Sequence, residues 1–350
     1  MRARTTSTHK RIQRGAVGVM MPFLIIIMTA FGALAVDIGY LMVVRNELQN
    51  AADAAALAGA AGLSKPTAPN WSNGVSVGQA AIGKNYSGGQ QLSDGNVQAG
   101  YWDISRGWAS TQSSPPALSQ STPPNLTSYV PAVQVTIGRS SGNNGGPVST
   151  WFASIVNGTP ASIQATAVAV IAAPGTANPG ALFPVAINQC LLTLYWDSKT
   201  GKPVNDPSTG QPQVIDIETS YPSKSTTCFS GEWTGFFGST NASTEKSLVQ
   251  NGNPTAVSIG DSINISNGVK ASVYKVINYP STVVMPVVSS VTPGSSSPVV
   301  GFVGFQITNV YQNGSHSYIE GNFVGGVKLA TGGGGTGPYY GAYVPPRLVW

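Results

Sequence analysis

The chain has 350 residues, enough for a membrane anchor and one or two folded domains. Only 9% are charged, while Gly (42) and Pro (25) are plentiful, a surface chemistry suited to an extracytoplasmic β-rich protein. The net charge of +5 lies wholly in Arg2, Arg4, Lys10, Arg11 and Arg14. The remainder is therefore neutral, which excludes the basic folded face that nucleic-acid binding needs.

The basic tail, 1–14, precedes an uncharged run, Ala16–Val36. At about 1.5 Å per residue that run spans about 31 Å, the thickness of a hydrocarbon core. Positive charge before such a run predicts a cytoplasmic N-terminus, with everything after the helix outside the inner membrane. The run is longer than the apolar stretch of a signal peptide, so an uncleaved anchor is expected. Pro22 is expected to kink its entry. Asp37 closes it and has two readings, a carboxylate at the outer interface reaching water or the mate of a cation on a neighbouring helix.

Beyond Asp37 the pattern turns amphipathic. Leu41, Val44, Leu48, Ala51, Ala55, Ala58 and Gly62 fall on one face, and Arg45, Gln49 and Asp53 line another at i, i+4, i+8. The helix is expected to run from Ala16 to Leu63, ended by Lys65-Pro66. Alanine keeps such a rod helical and lets another backbone approach closely. That backbone could belong to the protein's own outer domain or to another subunit.

The stretch 13–60, QRGAVGVMMPFLIIIMTAFGALAVDIGYLMVVRNELQNAADAAALAGA, resembles the N-terminal module of Tad (Flp) pilus-assembly proteins of the TadE/TadG type. Residues that carry the resemblance include Arg14, Gly15, Val36, Asp37, Gly39, Tyr40, Arg45, Leu48, Gln49, Ala51, Ala52, Asp53, Ala55, Leu57 and Ala58. It implies a pilus-assembly or anchoring role in a bacterial inner membrane, with pilus-assembly proteins or pilin-like helices as partners. Two departures narrow it. Processed prepilins keep a Glu five residues after the cleavage-site Gly, and here that position is Met20, which speaks against a major pilin. Many TadG-like proteins carry a von Willebrand A metal motif, whereas the fragments at Asp103 and Asp206 lack its second Ser, so no metal site is expected.

In the outer region, 75–86 reads as a short helix, 96–103, 129–139 and 161–172 as strands, 111–124 as a loop and 148–156 as a helical turn. This predicts an α+β unit, 64–174, whose sheet packs on the emergent helix. A linker is expected at 175–180. From 181 to 350 the chain reads as a β-rich sandwich or barrel-like domain, giving an α+β fold overall. Its candidate strands are 182–187, 191–196, 214–218, 262–265, 271–278, 282–288, 299–310, 317–323 and 326–329, with one helix at 244–250 and a flexible loop at 331–337.

Cys190 and Cys228 are the only cysteines. An oxidising compartment and an even count favour a disulfide, with buried thiols or a metal pair as alternatives. Closing a loop of about 38 residues stabilises by roughly 4 kcal/mol. No nucleophile–base arrangement stands out. His316 reads as a turn histidine, and Asp216 and Glu218 as a solvated strand face rather than a carboxylate pair. No enzyme activity and no cofactor are expected. The rivals are a minor pilus subunit or surface adhesin, an envelope hydrolase, and a secreted protein with a cleaved signal.

Overall fold

In the computed structural model, Ala16–Gly62 form one unbroken helix, α1. The residues described are 16–66, 68–104, 115–121, 129–153, 158–218, 228, 231–268, 270–314, 317–329, 332–335 and 337–350. α1 passes through Pro22 without interruption. It ends where Leu63 turns inward and Ser64 takes φ 68, just ahead of Lys65-Pro66. Helix α2, Trp71–Ile82, starts one turn earlier than the apolar pattern indicates, because Asn70 caps it by accepting a bond from the Asn73 N–H at 3.1 Å. Strands β1 (Asn96–Asp103), β2 (Tyr129–Arg139) and β3 (Ile163–Val170) follow. They pair antiparallel with β2 in the centre.

The period of two in these strands decides which layer each residue joins. Val133, Val135 and Ile137 on β2 and Ala165, Ala167 and Ala169 on β3 share a core with the alanines of α1. The alternate residues, Val130, Ala132, Val168 and Val170, join a second core with Leu182, Phe236, Phe302 and Val344 from the later part of the chain. The sheet is thus packed on both faces, by helices on one side and by β structure on the other.

After β3 the main elements, short two-residue strands and a helical turn aside, are β4 (Pro174–Ala177), β5 (Val185–Asn188), α3 (Gln189–Tyr195), β6 (Ile215–Glu218), β7 (Gly231–Phe236), α4 (Ala242–Asn251), β8 (Ser262–Ile265), β9 (Ser281–Val288), β10 (Ser296–Tyr311), β11 (Tyr318–Phe323), β12 (Gly332–Gly334) and β13 (Arg347–Leu348). Five of them close a ring. β5 pairs with β7, β7 with β8, β8 with the start of β10, β10 with β9, and β9 in parallel with β5. β11 and β6 extend the sheet from the far half of β10. Val185, Ile187, Trp233, Met285, Val287, Val303 and Phe305 form a third core on one face of these strands.

Several expectations change. Residues 191–195 are helical in α3, which Asn188 caps through the Cys190 N–H at 3.2 Å, and only Trp196 of that stretch is extended. Within 271–278 there is a helical turn, Ala271–Tyr274, that buries Tyr274 edge-on to Trp233. β7, sequence GEWTGF, carries too many turn residues to read as a strand, yet all six are buried. Its Gly231 is needed because a Cβ there would sit 2.9 Å from the Ala186 carbonyl. The expected flexible loop at 331–337 contains β12, which pairs with β4. The stretch read as a linker gives three residues to β4, and buried Asn253 holds the rest by bonds to the Leu182 N–H and the Asn178 carbonyl, both 2.9 Å. The turn read at 148–156 is a bridge from Val148 to Ala161 and a turn at 151–153, with 154–156 outside the described residues.

Candidate functional site

The part of the molecule that speaks to function is α1, which changes character along its length. From Met20 to Val36 its large side chains are exposed, including Phe23, Ile26, Met28 and Phe31, each more than 60%. This helix is long and apolar enough to cross a membrane. From Val44 onward one side is wholly buried. Val44, Leu48, Ala51, Ala52, Ala55, Ala56 and Ala60 lie against β2, β3 and α2, while Ala58 is half-buried. The alanines therefore face the protein's own sheet, the first of the two options left open by the sequence.

Glycines set the spacing between α1 and α2. A Cβ on Gly59 would lie 2.7 Å from Val133 Cγ1 and 3.0 Å from the Gly74 carbonyl, and one on Gly74 would lie 2.6 Å from Leu63 Cδ2. Side chains of any size would push the helices apart.

The polar face is used as well. Gln49 Nε2 donates to Asp53 Oδ1 at 2.8 Å and to the Thr166 carbonyl of β3 at 3.2 Å, so two predicted residues form a rim bridge. Arg45 is exposed. Gly39 is exposed as well, with open space where a Cβ would go. A small hairpin at 86–91 grips the helix nearby. Ser87 Oγ donates to the Val44 carbonyl at 3.0 Å, and the Gly88 N–H donates to Glu47 Oε2 at 2.5 Å. Arg139 Nη1 holds the Ser87 carbonyl at 3.3 Å from the far side. Gly15 lies outside the described residues.

Asp37 does not reach water but is held by this chain's own backbone. It is only 3% exposed, and its carboxylate accepts bonds from three successive backbone N–H groups. Oδ1 takes Trp151 at 2.9 Å, Oδ2 takes Ala153 at 2.7 Å, and Phe152 lies within 3.2 Å of both oxygens. No sequence signal connects positions so far apart.

Residues 15–62, which contain α1, match the family model Tad, Flp pilus-assembly TadE/G-like. Residues 58–169, which contain α2, β1, β2 and all but the last residue of β3, match Tad_C, Tad-like Flp pilus-assembly. Over residues 15–169 the chain is similar to the Tad-like Flp pilus-assembly proteins. The Tad module is thus α1 together with the sheet that holds it, a wider unit than 13–60. No curated protein and no solved structure matches the chain.

Beyond the Tad module, the structure joins Cys190 to Cys228 in a disulfide with Cα atoms 6.0 Å apart. Asp206 closes a turn, accepting from the Ser208 N–H at 2.7 Å and from its hydroxyl at 2.5 Å, and these bonds hold its carboxyl below the usual range. Asp103 ends β1, and Ser105 lies outside the described residues. Asp216 is exposed on β6, and partial desolvation raises its carboxyl above the usual range. His316 lies outside the described residues.

Proposed function

We propose that this protein is a single-pass component of Tad/Flp pilus assembly, seated in the inner membrane. Its basic tail is cytoplasmic and residues 63–350 are periplasmic. It acts by anchoring and by contacts with pilus-assembly proteins or pilin-like helices rather than by catalysis. The charge asymmetry around Ala16–Val36 supports the orientation, and the exposed apolar half of α1 supports the anchor.

One observation carries the choice of a stationary factor over a fibre subunit. The alanine face of α1 is buried against β2, β3 and α2 of the same chain. A subunit packed through that face would have to give up its own core. What remains for helix–helix docking is the exposed run from Met20 to Val43, at membrane height.

The test is a shear-fraction immunoblot on piliated cells that carry a tag after Trp350. Full-length signal confined to washed membranes is the expected result. Signal in the sheared fibres would make the protein a minor pilus subunit or surface adhesin instead.

A further inference from the structure

We propose that the turn Trp151–Ala153 is a membrane-contacting foot, seating Trp151 and Phe152 in the boundary between headgroups and acyl chains beside α1. The proposal rests on the anchoring reading above. Because α1 is one continuous helix, each residue's position along it sets a height. Ala16–Val36 accounts for about 31 Å, the hydrocarbon core, so Asp37 stands at its outer edge. Ile38–Val44 fill roughly the next 10 Å, the headgroup layer, before Arg45, the first exposed charge.

The Asp37 carboxylate takes the three N–H groups of Trp151, Phe152 and Ala153, and so fixes a segment 114 residues away in sequence at that height. Detaching it would leave a buried carboxylate without its donors, which makes this a firm attachment. The segment carries Trp151, 73% exposed, and Phe152, 43% exposed. Trp151 is the one exposed tryptophan among the described residues. At the same height on the helix, Val36 is 56% and Ile38 48% exposed. The apolar surface of the anchor thus continues sideways onto the turn. An amphipathic indole at this depth has lipid as its natural occupant, because its ring can sit among acyl chains while its N–H reaches the headgroups. Two attachment points, the helix and the foot, would stop the periplasmic part from swivelling about the helix axis.

The experiment uses the full chain in phosphatidylcholine vesicles, with or without bromine near the glycerol end of the acyl chains. Insertion is checked by flotation, and tryptophan emission is compared between wild type and Trp151→Phe. The expected result is that both float, brominated lipid quenches the wild type, and the substitution removes more than half of that quenching. If both float and the substitution changes the quenching little, or the wild type is not quenched, the foot is overturned while the anchor stands. If the wild type does not float, the anchor fails and the foot with it.

Discussion

Glu245 shows how a single buried carboxyl can set the pH response of the fold. It lies in the first turn of α4, fully buried, and accepts a bond from the Ser266 hydroxyl at 2.6 Å through one oxygen only. Burial pushes its carboxyl up to about 7 from 4.5, against the opposing pull of that hydroxyl and of Lys270. The folded chain therefore holds a proton that the unfolded chain has released between those two values. Stability contributed by this group is present below about 4.5, falls as pH rises toward 7 and is gone above it. Its size is at most a few kcal/mol. Glu245→Gln, neutral throughout, is expected to flatten the decline between pH 5 and pH 7, measured by urea unfolding of the detergent-solubilised chain; an unchanged slope would refute the assignment. Asp37 works in the opposite manner, as a permanent acceptor whose three donors were invisible in sequence.

The elements of the Tad module meet through small residues, and glycine is needed only where backbone meets backbone. At Gly59 a new Cβ would press on Val133 and on the Gly74 carbonyl, which cannot move aside. At Gly78 the nearest atom is a Val97 methyl at 3.1 Å, which can rotate, and the Ala55 carbonyl is at 3.4 Å. Gly59→Ala is thus expected to destabilise by about 1–3 kcal/mol even though alanine favours helix by up to about 1 kcal/mol. Gly78→Ala is expected to be nearly neutral. Denaturation midpoints of the two variants check the order, and a larger loss at Gly78 would contradict this packing. The 3.6 and 2.0 periods were legible in α1, β2 and β3, because one face of each enters the alanine core. β7 was not legible, because the burial of all six residues erases any period, and α3 and the turn at 271–274, seven and four residues long, are too short to show one.

At the scale of the molecule, the Tad sheet is completed by the far end of the chain. β13 pairs with β3, Arg347 opposite Val170, and the Val168 N–H donates to the Trp350 carbonyl at 3.0 Å. This covers the edge of β3 that would otherwise offer its unpaired backbone to another chain. Deleting 347–350 is expected to turn a monodisperse species into one that associates with rising concentration, as read by light scattering in detergent. Unchanged scattering would mean that the edge is protected otherwise. The same strand explains why the two halves are hard to separate in space. The core behind the Tad sheet draws on both, from Trp102 and Val168 to Phe302 and Val344.

By itself the sequence determined a helix long and apolar enough to cross a membrane, the charge asymmetry around it and the resemblance to Tad proteins. Those depend on local facts, namely an uncharged run of membrane length, charge on one side of it, and a contiguous motif. It also set the α+β class through the periods of its longer elements. The tertiary structure alone decided what covers the alanine face, which N–H groups Asp37 holds, that the ring of five strands closes, and that β13 returns to β3. Each of these joins residues far apart in the chain, where burial and hydrogen-bond satisfaction choose the mate and no local pattern encodes it.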